Sequence, residues 1–170
     1  GARERTGLIL ASAGAAVPKL ARLADAPAPA FDPDLAQESG LVALEPLAER
    51  PADRVHMVML GGTMQPYRWT IDGRTWGDHL PLTAKTGERV EIMFHNMSMM
   101  THPMHLHGHT FQVVEINGRR IPGARRDTIH VPPMSMVTVA LDAGEAARWM
   151  LHCHHMPHLE TGMMTEFAVS

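Results

Sequence analysis

The chain has 170 residues, 45% of them hydrophobic and 19% charged, with a formal net charge of −3. That length supports one domain with a real core plus a short extra segment, and the charge balance excludes the basic surplus of a nucleic-acid-binding protein. A membrane span is excluded as well: the longest nearly apolar run, LILASAGAAV at 8–17, is too short and is broken by Ser12 and Gly14.

Taken in order, residues 5–12 (RTGLILAS) read as a strand followed by a small-residue turn. A signal-peptide reading of the same stretch is set aside, because Glu4 interrupts the basic flank of Arg3 and Arg5. ADAPAPAFDPD at 24–34 reads as an extended linker, and 35–48 as a short helix weakened by Gly40 and Pro46. From 54 onward the pattern becomes short strands between turns, with strands expected at 54–60, 67–71, 88–95, 110–116, 126–131, 135–141, 148–153 and 164–169. In 88–95 the alternation is clean: Val90, Ile92 and Phe94 on one face, Arg89, Glu91 and Met93 on the other. About eight short strands with little helix predict an all-β sandwich or barrel. The arginines at 119, 120, 125 and 126 read as a solvated loop, with a docking patch as the lesser alternative.

Twelve histidines and fourteen methionines accompany a single cysteine, Cys153, which therefore forms no intrachain disulfide. On a strand Cys153 faces opposite to its neighbours His152 and His154. In THPMHLHGH (101–109), His105 and His107 share a face while His102 looks the other way. His102 can thus join Cys153 on one side, and His105 and His107 can join His152 and His154 on the other. His158 and Met163 follow in the loop beyond Cys153 and complete the first set. Two imidazoles, a thiolate and a long, weak thioether bond make the trigonal blue-copper electron-transfer site. The four imidazoles opposite suit a metal centre with open positions for a small molecule such as dioxygen. Two other classes stay in play: a self-standing copper electron carrier, which leaves those four histidines without a role, and a zinc site, which leaves Met163 unexplained.

HPMHLHGH (102–109) and HCHHMPHLETGMM (152–164) resemble the two C-terminal copper motifs of the multicopper oxidases, the laccase-like and cuprous-oxidase-like enzymes. RDTIHVPP (126–133) and RWMLHCH (148–154) resemble the same family's last cupredoxin domain, and RTGLILASAGAAVPKL (5–20) is more weakly similar to the closing strand of the domain before it. The resemblance implies a cupredoxin-type Greek-key sandwich over 54–170, a closing segment of a preceding cupredoxin domain at 1–23 and a linker at 24–53. It further implies that His102, Cys153, His158 and axial Met163 hold a type 1 copper, His105 a type 2 copper, and His107, His152 and His154 a type 3 pair. In that family a substrate is oxidised one electron at a time, electrons pass along the Cys–His backbone to the trinuclear cluster, and O2 is reduced to water there.

A full cluster needs four more histidines, which the family takes from His-x-His pairs in its N-terminal cupredoxin domains. Here the His-x-His pairs are 105/107, 107/109 and 152/154, all inside motifs already used. The chain is therefore expected to be the C-terminal domain of a three-domain oxidase and not to reduce O2 alone. The resemblance also implies a periplasmic or extracellular setting and a small reducing substrate, phenol-like or Cu(I). His56, His79, His95, His130 and His155 read as ordinary strand or loop residues, and His109 either as one or as a partner orienting a ligand imidazole. Met57, Met59, Met97, Met99, Met100, Met104 and Met156 read first as core or surface filler, with Cu(I) capture as the sharper alternative. Glu160 reads as a loop carboxylate, with proton shuttling as its alternative.

Overall fold

The computed structural model describes residues 3–5, 7–27, 32 and 34–170. The chain divides into two compact units, Gly1–Asp32 and Pro33–Ser170.

In the first unit the described segments meet in one antiparallel bridge, Glu4 with Leu23, flanked by Arg5 N–H donating to Arg22 O (2.9 Å) and Ala24 N–H to Arg3 O (2.8 Å). The strand expected at 5–12 is absent among the described residues; Thr6 lies outside them. A strand needs a ladder on at least one edge, and beyond the bridge none is offered. Leu8 and Leu10 stand 90% and 93% exposed, so no burial compensates.

The second unit is a two-sheet sandwich of twelve strands: β1 (Arg54–Met64), β2 (Tyr67–Ile71), β3 (Leu82–Ala84), β4 (Arg89–Asn96), β5 (His102–Leu106), β6 (Phe111–Ile116), β7 (Arg119–Arg120), β8 (Arg125–Arg126), β9 (Thr128–Val131), β10 (Met136–Asp142), β11 (Arg148–Cys153) and β12 (Met164–Val169). Only two short helices accompany them, α1 (Ala36–Ser39) and α2 (Met156–Glu160), with a 3-10 turn at Trp76–Asp78. One sheet runs β2-β1-β4-β10-β6-β7, with β8 also on β6; the other runs β3-β12-β11-β5-β9. Pairing is antiparallel except β1 with β4 and β12 with β3. All eight strands expected beyond residue 54 form; the surplus is β3, β5 and β7, none of them among the expected strands, and the division of 126–131 into β8 and β9. The 126–131 strand splits at Asp127, where pairing passes from β6 in one sheet to β5 in the other. The brief strands β3 and β7 are too short to show an alternation.

Residues 34–53, expected to be a linker, belong to this unit and are tied down. Leu47 N–H donates to Gln112 Oε1 (2.8 Å) and Arg89 Nη1 donates to Ala48 O (3.0 Å). Inward-facing positions of both sheets, among them Val58, Leu60, Ile92, Phe94, Phe111, Leu141, Leu151 and Phe167, are fully buried. At the standard transfer coefficient each such side chain contributes about 1.5–3 kcal/mol of burial free energy. Among the described residues no helix is long and apolar enough to cross a membrane.

One glycine fixes how β5 leaves the sandwich. Gly108 has φ +67°, and a Cβ there would run into the Trp149 ring. The tight left-handed turn keeps His107 beside β11 and lets His109 Nε2 accept from Gly144 N–H (3.0 Å). Gly108→Ala should therefore destabilise the domain by about 2–3 kcal/mol, from backbone strain plus the clash. Urea unfolding of the metal-free chain measures it, and an unchanged midpoint would show that the turn relaxes freely.

Candidate metal centres

Two adjacent strands build both groups of donors. β11 and β5 pair in the register Leu151↔Leu106, His152↔His105 and Cys153↔Met104. Alternation then sends Leu151, Cys153, His102, Met104 and Leu106 into the core, and His105 and His152 to the other face. β11 ends at Cys153, and Pro157 at the start of α2 helps turn the chain back so that His158 returns to the sulfur. The loop closes with Met163 N–H donating to His158 O (3.0 Å) and Cys153 N–H to Met163 O (3.1 Å). Buried Met163 is thereby held beside both residues.

In the buried group, Cys153 Sγ lies 3.8 Å from His102 Nδ1 and 3.8 Å from His158 Nδ1, and the two nitrogens are 3.1 Å apart. A triangle with those sides has its centre about 2.1 Å from every corner, the length of a metal–imidazole bond and close to that of a metal–thiolate bond. The donors therefore fit one transition-metal ion without rearrangement. All three residues are 0% exposed. Burial, with help from the neighbouring His158 and His155, holds the His102 imidazole down to about 3, and burial with His155 holds His158 at about 4. Both rings are thus neutral and ready to ligate at neutral pH. Burial pushes the Cys153 thiol up to about 11, opposed by the His155 backbone N–H pointing at its sulfur (3.4 Å). A bound cation has to displace that proton, and its own charge supplies the drive.

The neighbours of these donors escaped the sequence reading. His102 Nε2 meets Ser98 Oγ at 2.9 Å, and Ser98 donates in turn to Asn96 Oδ1 (2.9 Å). Asn96 Nδ2 is anchored on the carbonyls of Met100, Val131 and Pro132. That relay occupies Nε2 and leaves Nδ1 free toward the sulfur. Trp69 stacks on His158 with centroids 4.2 Å apart, crosses His102 edge-on at 5.2 Å, and carries Tyr67 on its outer side at 5.9 Å. No spacing rule could tie residues 67–69 to a motif so far along the chain.

On the other face, ligand-capable atoms of His105, His107 and His152 all lie within 4.8 Å of one another. His107 Nε2 is 3.0 Å from His152 Nε2. His105 Nδ1 is engaged by Asp127 O (2.9 Å) and Thr128 Oγ1 (3.0 Å), which leaves its Nε2 for the group. His154 stands at the rim, more exposed, its ring 5.6 Å from that of His105 and 5.7 Å from that of His152. His107 and His152 also line a cleft with Trp76, Met150, Leu159, Glu160, Gly162 and Met164. Burial lowers His107 and His152 below the usual imidazole range, with neighbouring histidines adding to it; the bond to Cys153 O opposes this at His152. Of the residues left open, His109 bonds to the His107 carbonyl (3.1 Å), so it braces the segment that carries a candidate ligand.

Comparison with known proteins gives one consistent answer. The sequence model of a family described as "Multicopper oxidase" matches residues 49–170. The chain is 45% identical over 108 residues to multicopper oxidase MmcO of Mycobacterium tuberculosis, covering 64% of this chain and 21% of that protein. It is 39% identical over 120 residues to a copper resistance protein A homolog of Pseudomonas syringae pv. tomato, covering 71% and 20%. Among solved structures, the McoA multicopper oxidase of Aquifex aeolicus superposes with a TM-score of 0.65 at 30% identity, covering 74% of this chain and 31% of that one. The chain thus spans about a fifth of the length of the curated relatives it matches.

Proposed function

The chain belongs to the multicopper oxidase family, and on that premise we propose that it is the C-terminal copper-binding domain of a longer oxidase. His102, Cys153, His158 and Met163 would hold the type 1 copper. His105 would hold a type 2 copper, and His107, His152 and His154 would serve the type 3 pair, completed by four histidines from N-terminal cupredoxin domains of the same protein. Copper, when bound, would supply one-electron redox chemistry.

The observation that carries this reading is the Cys153 triangle set back to back with the His105–His107–His152 group on neighbouring residues of one strand. Cys153 and His152 share a peptide bond, so the backbone of 152–154 is the shortest covalent route from one donor set to the other. That backbone would be the covalent route between the two donor sets for an electron given up by a small reducing substrate. Full burial of His102, Cys153 and His158 denies access to water or a second ligand, which favours electron transfer over ligand exchange. Asp127 and Thr128 hold His105 in one tautomer so that its free nitrogen stays aimed. A periplasmic or extracellular location follows as the family expectation.

The test is copper loading of the 170-residue chain beside the longer protein. The expected result is one tightly held copper with intense blue absorption and negligible O2 consumption by the chain, against O2 consumption by the longer protein. Blue colour without O2 consumption in the longer protein would make the domain an electron carrier instead. A colourless chain that prefers zinc would end the copper reading altogether. Steady-state rates with Cu(I) and with a phenol then assign the reducing substrate.

A further inference from the structure

The donors discussed so far sit on β5, β11 and the loop beyond, all belonging to the five-stranded sheet. The seven-stranded sheet carries a second concentration of soft donors on its outer face. The register of β1, β4 and β10 places Met59 opposite His95, and His95 opposite Met136. In the next row Met57 lies opposite Met93. The flanking residues Val58, Leu60, Phe94 and Val137 are 0% exposed and point into the core, so alternation turns Met59, His95 and Met136 outward together. Each of the three is partly accessible.

His95 is exceptional among the described residues. Every other histidine ring has a hydrogen-bond or ring partner, whereas His95 has no hydrogen bond, ion pair or ring contact. A half-buried imidazole without a partner, between two thioethers, is a donor set in search of an acceptor. Neighbouring strands lie about 4.7–4.9 Å apart, and the flexible methionine arm spans that gap with ease. The carboxylates on this sheet are all taken: Glu91 and Glu115 by Arg120 at 2.8 Å and 3.2 Å, and Asp142 by Arg89 and Arg50 at 2.8 Å and 2.7 Å. The row therefore offers soft neutral donors only, a composition that rejects magnesium or calcium and suits a soft monovalent ion.

We propose that Met59, His95 and Met136 form a binding site for a soft monovalent metal ion of the Cu(I) class, separate from the donors around Cys153. Met57 and Met93, one row away, extend the surface over which such an ion can be held. The sequence alone placed Met57 and Met59 among the methionines that could meet Cu(I), but gave them no partner and left His95 as an ordinary residue. Only the register brings the row together. The site does not depend on the oxidase reading, because it needs neither O2 nor electron transfer.

Redox-inert Ag(I) is the probe, added to the metal-free 170-residue chain carrying 13C-methyl methionine and followed by two-dimensional NMR. The methyl signals of Met59 and Met136 should move together and saturate at the same Ag(I) ratio. His95→Gln should weaken that shared response about tenfold or more, while the response of Met163 beside Cys153 stays as before. Met64→Leu, a loss of thioether at the far end of β1, should leave the Met59 and Met136 response untouched. Silent Met59 and Met136 signals, or an identical response in His95→Gln, would overturn the site. Should His95→Gln not fold, Met59→Leu/Met136→Leu carries the same test: loss of the Ag(I)-induced shift of the His95 ring supports the site and its persistence refutes it.

Discussion

Cys153→Ser is expected to abolish the blue absorption of the copper-loaded chain and to lower its copper content by one ion. The reason lies in the charge of the donor triangle. His102 and His158 are neutral, so the thiolate is the one anion available to a cation buried with no exposed edge. A serine hydroxyl keeps its proton under these conditions, and its oxygen is a harder and smaller donor than sulfur. The fold should survive, since replacing a buried sulfur with a hydroxyl costs about 1–3 kcal/mol. Copper content and the visible spectrum are the readouts, with circular dichroism to confirm folding. In the longer protein the same change should stop substrate oxidation, because the covalent bridge to His152 and His154 no longer begins at a metal ligand. A serine variant that stays intensely blue would remove Cys153 from the centre and with it the proposed electron path.

How far the sequence reached depends on whether a feature is written locally. The opposition of Cys153 to His152 is a property of adjacent residues on a strand, so alternation alone foretold it, and the split of His102 from His105 followed in the same way. The placement of 5–12 as a strand failed because its partner could not be read: a ladder depends on a second strand, and among the described residues only Leu23 answers, at Glu4. The 24–53 stretch reads as a linker with a short helix; a helix forms at Ala36–Ser39, and side chains far along the chain, Gln112 and Arg89, tie residues 47–48 to the sheet. The strand at 126–131 was seen, but not its change of sheet at Asp127, which both His105 and Thr128 exploit. The Ser98–Asn96 relay behind His102 and the stacking of Trp69 on His158 are of the same non-local kind. The candidate donors stand in local motifs; what holds each of them still does not.

Acid should weaken the metal-free domain well before its carboxylates are reached. His102 and His158 are held down to about 3 and about 4 in the fold, whereas in an unfolded chain both titrate near 6.5. Below that value the unfolded chain gains two protons that the folded one refuses, so acidification favours unfolding. The loss grows by about 1.4 kcal/mol per pH unit for each histidine. It starts near pH 6.5 and levels off only as pH falls through about 4 for His158 and about 3 for His102. His130 and His152, also lowered by burial, add to the loss with the same sign. The carboxylates lowered by their arginine partners, Asp142 and Glu88, contribute stability that starts to be lost only as pH falls below their ordinary carboxylate values, so the histidine loss begins first. Urea unfolding from pH 7.5 to 4.5 should therefore show stability falling by several kcal/mol. Copper loading should lift the whole curve, because binding to the folded state adds its own free energy, and should steepen it, because the metal-bound Cys153 thiolate lacks a proton that the unfolded thiol keeps. A metal-free domain equally stable at pH 7 and pH 5 would mean that the two buried rings accept protons in place, and the neutral donor triangle on which the copper reading rests would have to be redrawn.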